Sequence, residues 1–386
     1  MINNLKYSHV CVLLLGVMIY IIVNKGYANI DRFIYRPVPK QFITMVSVDV
    51  ETDQYVDATA YLPLGYSRLG DVDYTKYIQA AINENNNVIL PDFPILINDS
   101  GLRPKSNSNI YFRKKSKLIL KPSNKPQYGV FVLDQVENIN IFQPTILGDR
   151  DHHIGNKGEW GMGIRIVKSK NIRIVNPNIV NCWGDGIYIG GNGILSSSDI
   201  VIEGGLLDNN RRNAISIVNG ENIIIKDIVL SNTNGTLPMA GIDLEPNTNH
   251  DKLNNISLNN VISFNNKEDG YLIYLGSWLG ENQNKTNIII ENCKAYYSNN
   301  AMSIPGLRND YNKRVKKHQG KILIKNFISY DSDEILKKSS GNYQYTPNIT
   351  IKGVKHYKNG KLTSKKISDL ETWFPKRSSK NNFIND

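Results

Sequence analysis

An internal repeat governs what this chain can fold into. Eight tetrapeptides recur: Asn-Ile-Asn-Ile at 138–141, Asn-Ile-Arg-Ile at 171–174, Asp-Ile-Val-Ile at 199–202 and Asn-Ile-Ile-Ile at 222–225. Asn-Ile-Ser-Leu at 255–258, Asn-Ile-Ile-Ile at 287–290, Lys-Ile-Leu-Ile at 321–324 and Asn-Ile-Thr-Ile at 348–351 continue the series. The spacings are 33, 28, 23, 33, 32, 34 and 27 residues. A period in this range means stacked supersecondary units, none of which buries its apolar face alone. Within each copy apolar and variable positions alternate, which is the period of a strand and not of a helix. The leading Asn suits a tight turn, because Asn tolerates left-handed backbone. Together these features predict an all-β chain folded as a right-handed parallel β-helix.

A second register runs between the first. Gly163-Ile164-Arg165-Ile166, Gly186-Ile187-Tyr188-Ile189, Ala214-Ile215-Ser216-Ile217 and Gly241-Ile242-Asp243-Leu244 belong to it. Tyr271-Leu272-Ile273-Tyr274 and Ala301-Met302-Ser303-Ile304 extend it, with Gly129-Val130-Phe131-Val132 as its first copy. Strand alternation then sends Ile164, Ile187, Ile215, Ile242, Leu272 and Met302 inward. It sends Phe131, Arg165, Tyr188, Ser216, Asp243, Ile273 and Ser303 outward, as a ladder with steps of about 4.8 Å on an exposed sheet. The small first residue leaves room for something to lie against that face.

The chain has 386 residues, 40% of them hydrophobic, enough for one large solenoid domain. Its formal charge of +11 favours an anionic partner. Nucleic acid is the weakest such option, because no finger, helix-turn-helix or RNA-binding signature is present. Lys6, the uncharged run Val10–Val23 and Gly26-Tyr27-Ala28 form a signal-peptide pattern over residues 1–28. The run of 14 is short beside the roughly 20 residues of a spanning helix. An uncleaved anchor is the alternative, and either reading puts the solenoid outside the cytoplasm, secreted, periplasmic or at the cell surface. Residues 29–70 read as an irregular lead-in with a strand at Phe42–Val50. Asp73 caps a helix over Tyr74–Asn83 that closes the solenoid. The β-helix spans 71–357 and is broken by a basic loop at Gly306–Gln319; a polar, partly disordered tail follows at 358–386. Cys11, Cys182 and Cys293 are the three cysteines. Cys182 and Cys293 lie four coils, about 19 Å, apart, beyond disulfide reach. Neither a metal nor a cofactor is expected.

With the Asp73–Asn83 helix, Val88-Ile89-Leu90-Pro91, Gly148-Asp149-Arg150, Gly158-Glu159-Trp160-Gly161 and the coil repeats, the chain resembles the pectate-lyase-like β-helix superfamily. The similarity covers residues 70–357 and points to its polygalacturonase-related branch. It implies the fold and a polysaccharide substrate. It does not carry over catalytic residues: Asn-Thr-Asp, paired Asp-Asp, Gly-His-Gly and Arg-Ile-Lys are all absent. Gly184-Asp185-Gly186-Ile187 is a partial echo of the paired-Asp strand. Gly241-Ile242-Asp243 resembles a strand of alginate epimerases without its His.

The residues themselves suggest a site. Asp243 and Glu245 stand two apart on one strand, so both point outward about 7 Å apart. Such a gap leaves room for the water of an inverting glycosidase. Asp185 lies two coils earlier. Tyr188, Arg165, Arg211 and Arg212 form a basic and aromatic set, and Arg forks grip carboxylates bidentately. Trp160 and Trp183 offer sugar-stacking faces, Glu159 a further carboxylate, and His153 a group titrating near neutrality. Asp243, Glu245 and Asp185 are thus the catalytic candidates, and Tyr188, Arg211, Arg212, Arg165, Trp160, Trp183, Glu159 and His153 the binding candidates. The leading expectation is an exported enzyme hydrolysing an anionic polysaccharide. A lyase or uronate epimerase using Tyr188 and the arginines, and a non-catalytic glycan-binding solenoid, are the alternatives.

Overall fold

The computed structural model describes residues 33–278, 285–307, 318–337, 343, 345–363 and 382–384. The apolar run Val10–Val23, Cys11, most of the Gly306–Gln319 loop and most of the 358–386 tail lie outside them. The chain divides into two units, residues 1–35 and 36–386. Of the first, residues 33–35 are described, and they carry neither helix nor strand.

The second unit is a right-handed parallel β-helix of about 9 turns with one short α-helix. Among the described residues the strands build three sheets of 12, 11 and 8 strands. The first sheet holds the Asn-Ile repeats in strict register: Ile139, Ile172, Ile200, Ile223, Ile256, Ile288, Ile322 and Ile349 follow one another coil by coil. All eight are essentially buried, each worth about 1.5–3 kcal/mol of burial. The leading residues of the first five copies, and Asn107 at the same place one coil earlier, adopt left-handed backbone, whereas Asn287, Lys321 and Asn348 do not. Asn107, Asn138, Asn171, Asp199, Asn222 and Asn255 have φ between 54° and 63°. Their amides also bond along the stack: Asn138 Nδ2 donates to Asn107 Oδ1 and Asn171 Nδ2 to Asn138 Oδ1, both at 2.7 Å.

A second sheet of mostly three-residue strands, such as Asn178–Val180, Leu206–Asp208 and Val229–Ser231, follows the first in every coil. The helix Thr75–Glu84 puts Ile78, Ala81 and Ile82 into the core cluster that contains Val88 and Ile95. Asp73 serves it from one position outside the cap, its Oδ1 accepting from the Thr75 backbone N–H at 3.0 Å.

The lead-in departs from expectation. Phe42–Val50 forms no strand. Residues 36–46 instead run as a strap across successive coils. Asn176 clamps Val46, accepting from its N–H and donating to its carbonyl, both at 2.8 Å. Asn232 treats Arg36 the same way, at 3.1 and 2.9 Å. Between these clamps Gly205 N–H donates to the Thr44 carbonyl at 2.8 Å, and Phe42 packs on Phe264 and Tyr296. The Arg36 guanidinium lies 4.5 Å over the Tyr297 ring.

The third sheet carries the second register, with a correction at two coils. Phe131 pairs with Ile164, and Tyr271 with Ile242. Phe131, Tyr271 and Ile273 therefore face inward, while Val132 and Leu272 take the outward places. A slip of one residue moves a strand's side chains to the opposite face. Here Gly270, not Tyr271, is the small residue that opens the copy. The small column also has another cause than the one expected. A Cβ on Gly163 would meet Ile179 Cγ2 at 2.5 Å and the Gly186 carbonyl at 2.6 Å. Glycine is required by close packing inside the turn, not by room for a ligand.

Candidate functional site

The outward column of the third sheet reads Val132, Arg165, Tyr188, Ser216, Asp243, Leu272, Ser303, Lys337. Its middle is not open to solvent. Asp243 is 1% exposed, because the turn Arg211–Asn213 of the preceding coil folds over it. Asn213 Nδ2 donates to Asp243 Oδ2 at 3.1 Å and to Ser216 Oγ at 3.0 Å. Among the described residues no group donates to Asp243 Oδ1. The strand ends at Leu244, and Glu245 turns its carboxyl back to hydrogen-bond with Asp243. Burial first, then repulsion from Glu245, pushes the Asp243 pKa well above the usual carboxylate range. A proton on Asp243, donated to Glu245, satisfies both groups. The two carboxyls thus form a proton-sharing pair, in direct contact instead of the expected 7 Å apart.

Arg212 is the cation of this cluster. Its Nη1 lies 3.1 Å from Asp185 Oδ2 and 3.4 Å from Ser216 Oγ, and its Nε 4.0 Å from Glu159 Oε1. Burial opposes its charge, but Asp185, Asp243, Glu159 and Glu245 together hold it firmly protonated. Asp185 is fully buried, and burial pushes its pKa up even though Arg212 and the Asn213 N–H stabilise its anion. Even with this guanidinium beside them, Asp185 and Asp243 hold their protons more tightly than free carboxyls, because burial outweighs it.

A cleft of about 390 Å³ opens beside this pair, lined by Arg212, Leu237, Pro238, Glu245, Glu268, Asp269, Leu272, Tyr274 and Lys337. Asp269 and Glu268 are absent from the sequence-derived site. Asp269 accepts from Asn300 Nδ2 at 2.8 Å and from Ser303 Oγ, and burial pushes its pKa up. Asp269-Gly270-Tyr271 occupies the same place in its coil as Asp185-Gly186-Ile187, a signal that the misplaced register hid.

The remaining candidates separate. Trp183 has both faces covered: His153 stacks on it with ring centroids 4.1 Å apart, and the Arg211 guanidinium lies 3.7 Å from its ring centroid. It is therefore not a sugar platform, and Arg211 does not act beside Arg212. His153 is buried, its Nδ1 2.9 Å from Asp149 Oδ2, while Tyr128 donates to Asp149 Oδ1 at 2.5 Å. This stack holds the 148–160 turn in place. Trp160 is 44% exposed. Tyr188 is half-buried next to Arg165, and burial and then Asp185 raise its pKa. Arg165 lines a different cavity. Among the described residues no group of three or more His, Cys, Asp or Glu is placed to hold a metal ion.

No family model matches the chain. The chain spans 24% and 28% of the lengths of two curated relatives it matches. One of these, the uncharacterized protein YclG of Bacillus subtilis, is 32% identical over 139 residues, 32% of this chain. Two solved structures share the fold. The tailspike protein of Escherichia coli bacteriophage HK620, solved as a double mutant with a pentasaccharide, superposes with a TM-score of 0.57. The match covers 79% of this chain and 58% of that one at 14% identity. The tailspike gp49 of Acinetobacter baumannii bacteriophage Fri1, a capsular polysaccharide depolymerase, matches with a TM-score of 0.50 at 16% identity, over 80% of this chain and 59% of that one.

Proposed function

We propose that the chain is a polysaccharide-cleaving enzyme whose acid is the Asp243–Glu245 pair. The observation that carries this reading is a buried carboxyl, Asp243, in hydrogen-bond contact with a second carboxyl, Glu245, at the wall of a cleft. Glu245 lines the cleft, and Asp243 lies behind it in hydrogen-bond contact. In this reading the proton that Asp243 holds is relayed through Glu245 to the glycosidic oxygen as the bond to the anomeric carbon breaks, leaving Asp243 as the anion. Asp269 or Glu268, on the same cleft, serves as the base that activates water. Arg212 and Lys337 hold anionic groups of the polymer.

Hydrolysis is favoured over elimination because a tyrosine base needs a lowered pKa, whereas that of Tyr188 is raised by burial. Support for a glycan substrate comes from the shared fold, seen in a tailspike that binds an oligosaccharide and in one that depolymerises a capsule. The run Val10–Val23 would export the protein to reach such a substrate.

The test is turnover by the purified chain on a panel of acidic glycans. New reducing ends without the ultraviolet absorbance of unsaturated uronates are expected. Glu245→Gln should lower kcat by about 10²–10⁴-fold, and Asp243→Asn should lower it while leaving binding intact. Full activity in both variants refutes the site. Unsaturated ends refute hydrolysis, and binding without turnover refutes the enzyme.

A further inference from the structure

The outward column of the third sheet ends, on its N-terminal side, in a second cavity of about 480 Å³. Asp99, Ser100, Arg103, Lys125, Gln127, Tyr128, Gly129, Val132 and Arg165 line it, so three cations face one carboxylate. Lys125 is committed to Asp99 at 2.6 Å. Arg165 is held only loosely, 3.8 Å from Asp134, which Lys168 approaches more closely at 3.5 Å. Arg103 is exposed, and its guanidinium forms no ion pair with another described residue. The Arg103 fork, and the loosely held Arg165 fork, can therefore turn to take an anion bidentately, the geometry at which Arg excels. Gln127 and Ser100 add neutral donors and acceptors of the kind that sugar hydroxyls use.

We infer that this cavity is a distal subsite binding an anionic substituent, carboxylate or sulfate, on a glycan whose other end lies at the Glu245 cleft. Arg165, Tyr188, Ser216 and Asp243 are successive partners along the column. Three steps of the stack put Arg165 about 14 Å from Asp243 along the axis, within the span of a short oligosaccharide. The location of the second cavity on the same sheet face is what ties it to the first. A basic pocket elsewhere, lined by Lys325, Lys352 and Lys355, lies at the corner between the other two sheets and has no such connection. The inference rests on reading this face as a polysaccharide site, but its test reads binding and does not need turnover.

Calorimetry on the full chain, with an oligogalacturonate hexamer, a chondroitin sulfate hexasaccharide and maltohexaose, tests it. The wild type should bind at least one anionic probe more tightly than maltohexaose, and the probe preferred tells carboxylate from sulfate. Arg103→Gln with Arg165→Gln should weaken that binding by about tenfold or more, since each removes a charge-assisted contact. Arg103→Gln alone, at an exposed position, should move affinity in the same direction with an unchanged melting temperature. Equal affinity of wild type and double variant overturns the subsite, as does a wild type with no preference for charge. Loss of affinity in a protein that cuts no polymer supports the subsite and refutes only the hydrolase reading.

Discussion

Replacing Arg212 by Ala should test the charge balance of the site directly. The Arg212 side chain is 14% exposed and that of Asp185 is not exposed at all. Removing one partner of a buried ion pair costs about 3–5 kcal/mol, because the other charge stays buried and uncompensated. Asp185 keeps two further donors, the Asn213 N–H at 3.1 Å and the Ser216 hydroxyl. The expected loss is therefore at the lower end, about 3 kcal/mol at pH 7. The loss should depend on pH in a defined sense. Burial already raises the folded-state pKa of Asp185, and without Arg212 it rises further. A carboxyl raised in the fold contributes stability fully below its unfolded value, near 3.9, and loses it as pH climbs through the folded value. Asp243, which Arg212 also stabilises as an anion, shifts the same way. The gap between wild type and Arg212→Ala should thus be widest at neutral pH. Near pH 4 it should shrink to about 1 kcal/mol, the packing of the lost Arg stem. Urea denaturation of both proteins at the two pH values measures it, and Arg212→Lys should fall between them. A gap that is the same at both pH values, or a loss below about 1 kcal/mol at pH 7, would refute the account of Arg212 as the counter-ion of buried carboxylates.

Two further outcomes are expected. Ile273→Ser should cost about 2–5 kcal/mol, because Ile273 is fully buried in the core cluster, whereas Leu272→Ser, 7% exposed at the cleft wall outside that cluster, should cost less, about 1–2 kcal/mol; thermal melts showing the reverse order would contradict the register. Asn138→Ala should cost about 2–3 kcal/mol, from left-handed backbone without Asn plus the lost ladder bonds. Asn138→Gly should cost only the second part, and equal melting temperatures for the two would remove backbone conformation as the reason for the Asn.

The first sheet was legible because its strands are long enough to alternate and open on Asn, whose side chain both permits the turn and bonds along the stack. The second sheet was not. Its strands place a single residue inward, Ile179, Leu207 or Leu230 in turn, and one residue has no period. The third sheet was read correctly at the copies opened by Gly163, Gly186, Ala214, Gly241 and Ala301. It was misread where Tyr271 was taken for that residue and at the first copy, where Phe131 was placed outward. The slip placed Leu272 inside and concealed Asp269. That Asp185, Asp243, Glu245 and Arg212 lie close together was legible because stacking brings equivalent positions together. Their burial was not foreseen, since the turn that covers Asp243 belongs to the irregular part of the coil. The pairing of Trp183 with His153 and Arg211 was invisible for the same reason: the turns that hold them, unlike the Asn turns, carry no repeat.

The strap of residues 36–46 has a consequence for the order of assembly. A coil contacts mainly its neighbours, so a solenoid can wind from its start as it is made. The strap cannot dock in that order. The partner of Arg36, Asn232, lies 196 residues downstream. At ribosomal rates of about 5–20 residues per second, the segment waits on the order of 10–40 s before its last clamp exists. Its docking is a late event that joins coils already wound, so a pulse of protease on nascent chains should cut at 36–46 long after the first coils have become resistant.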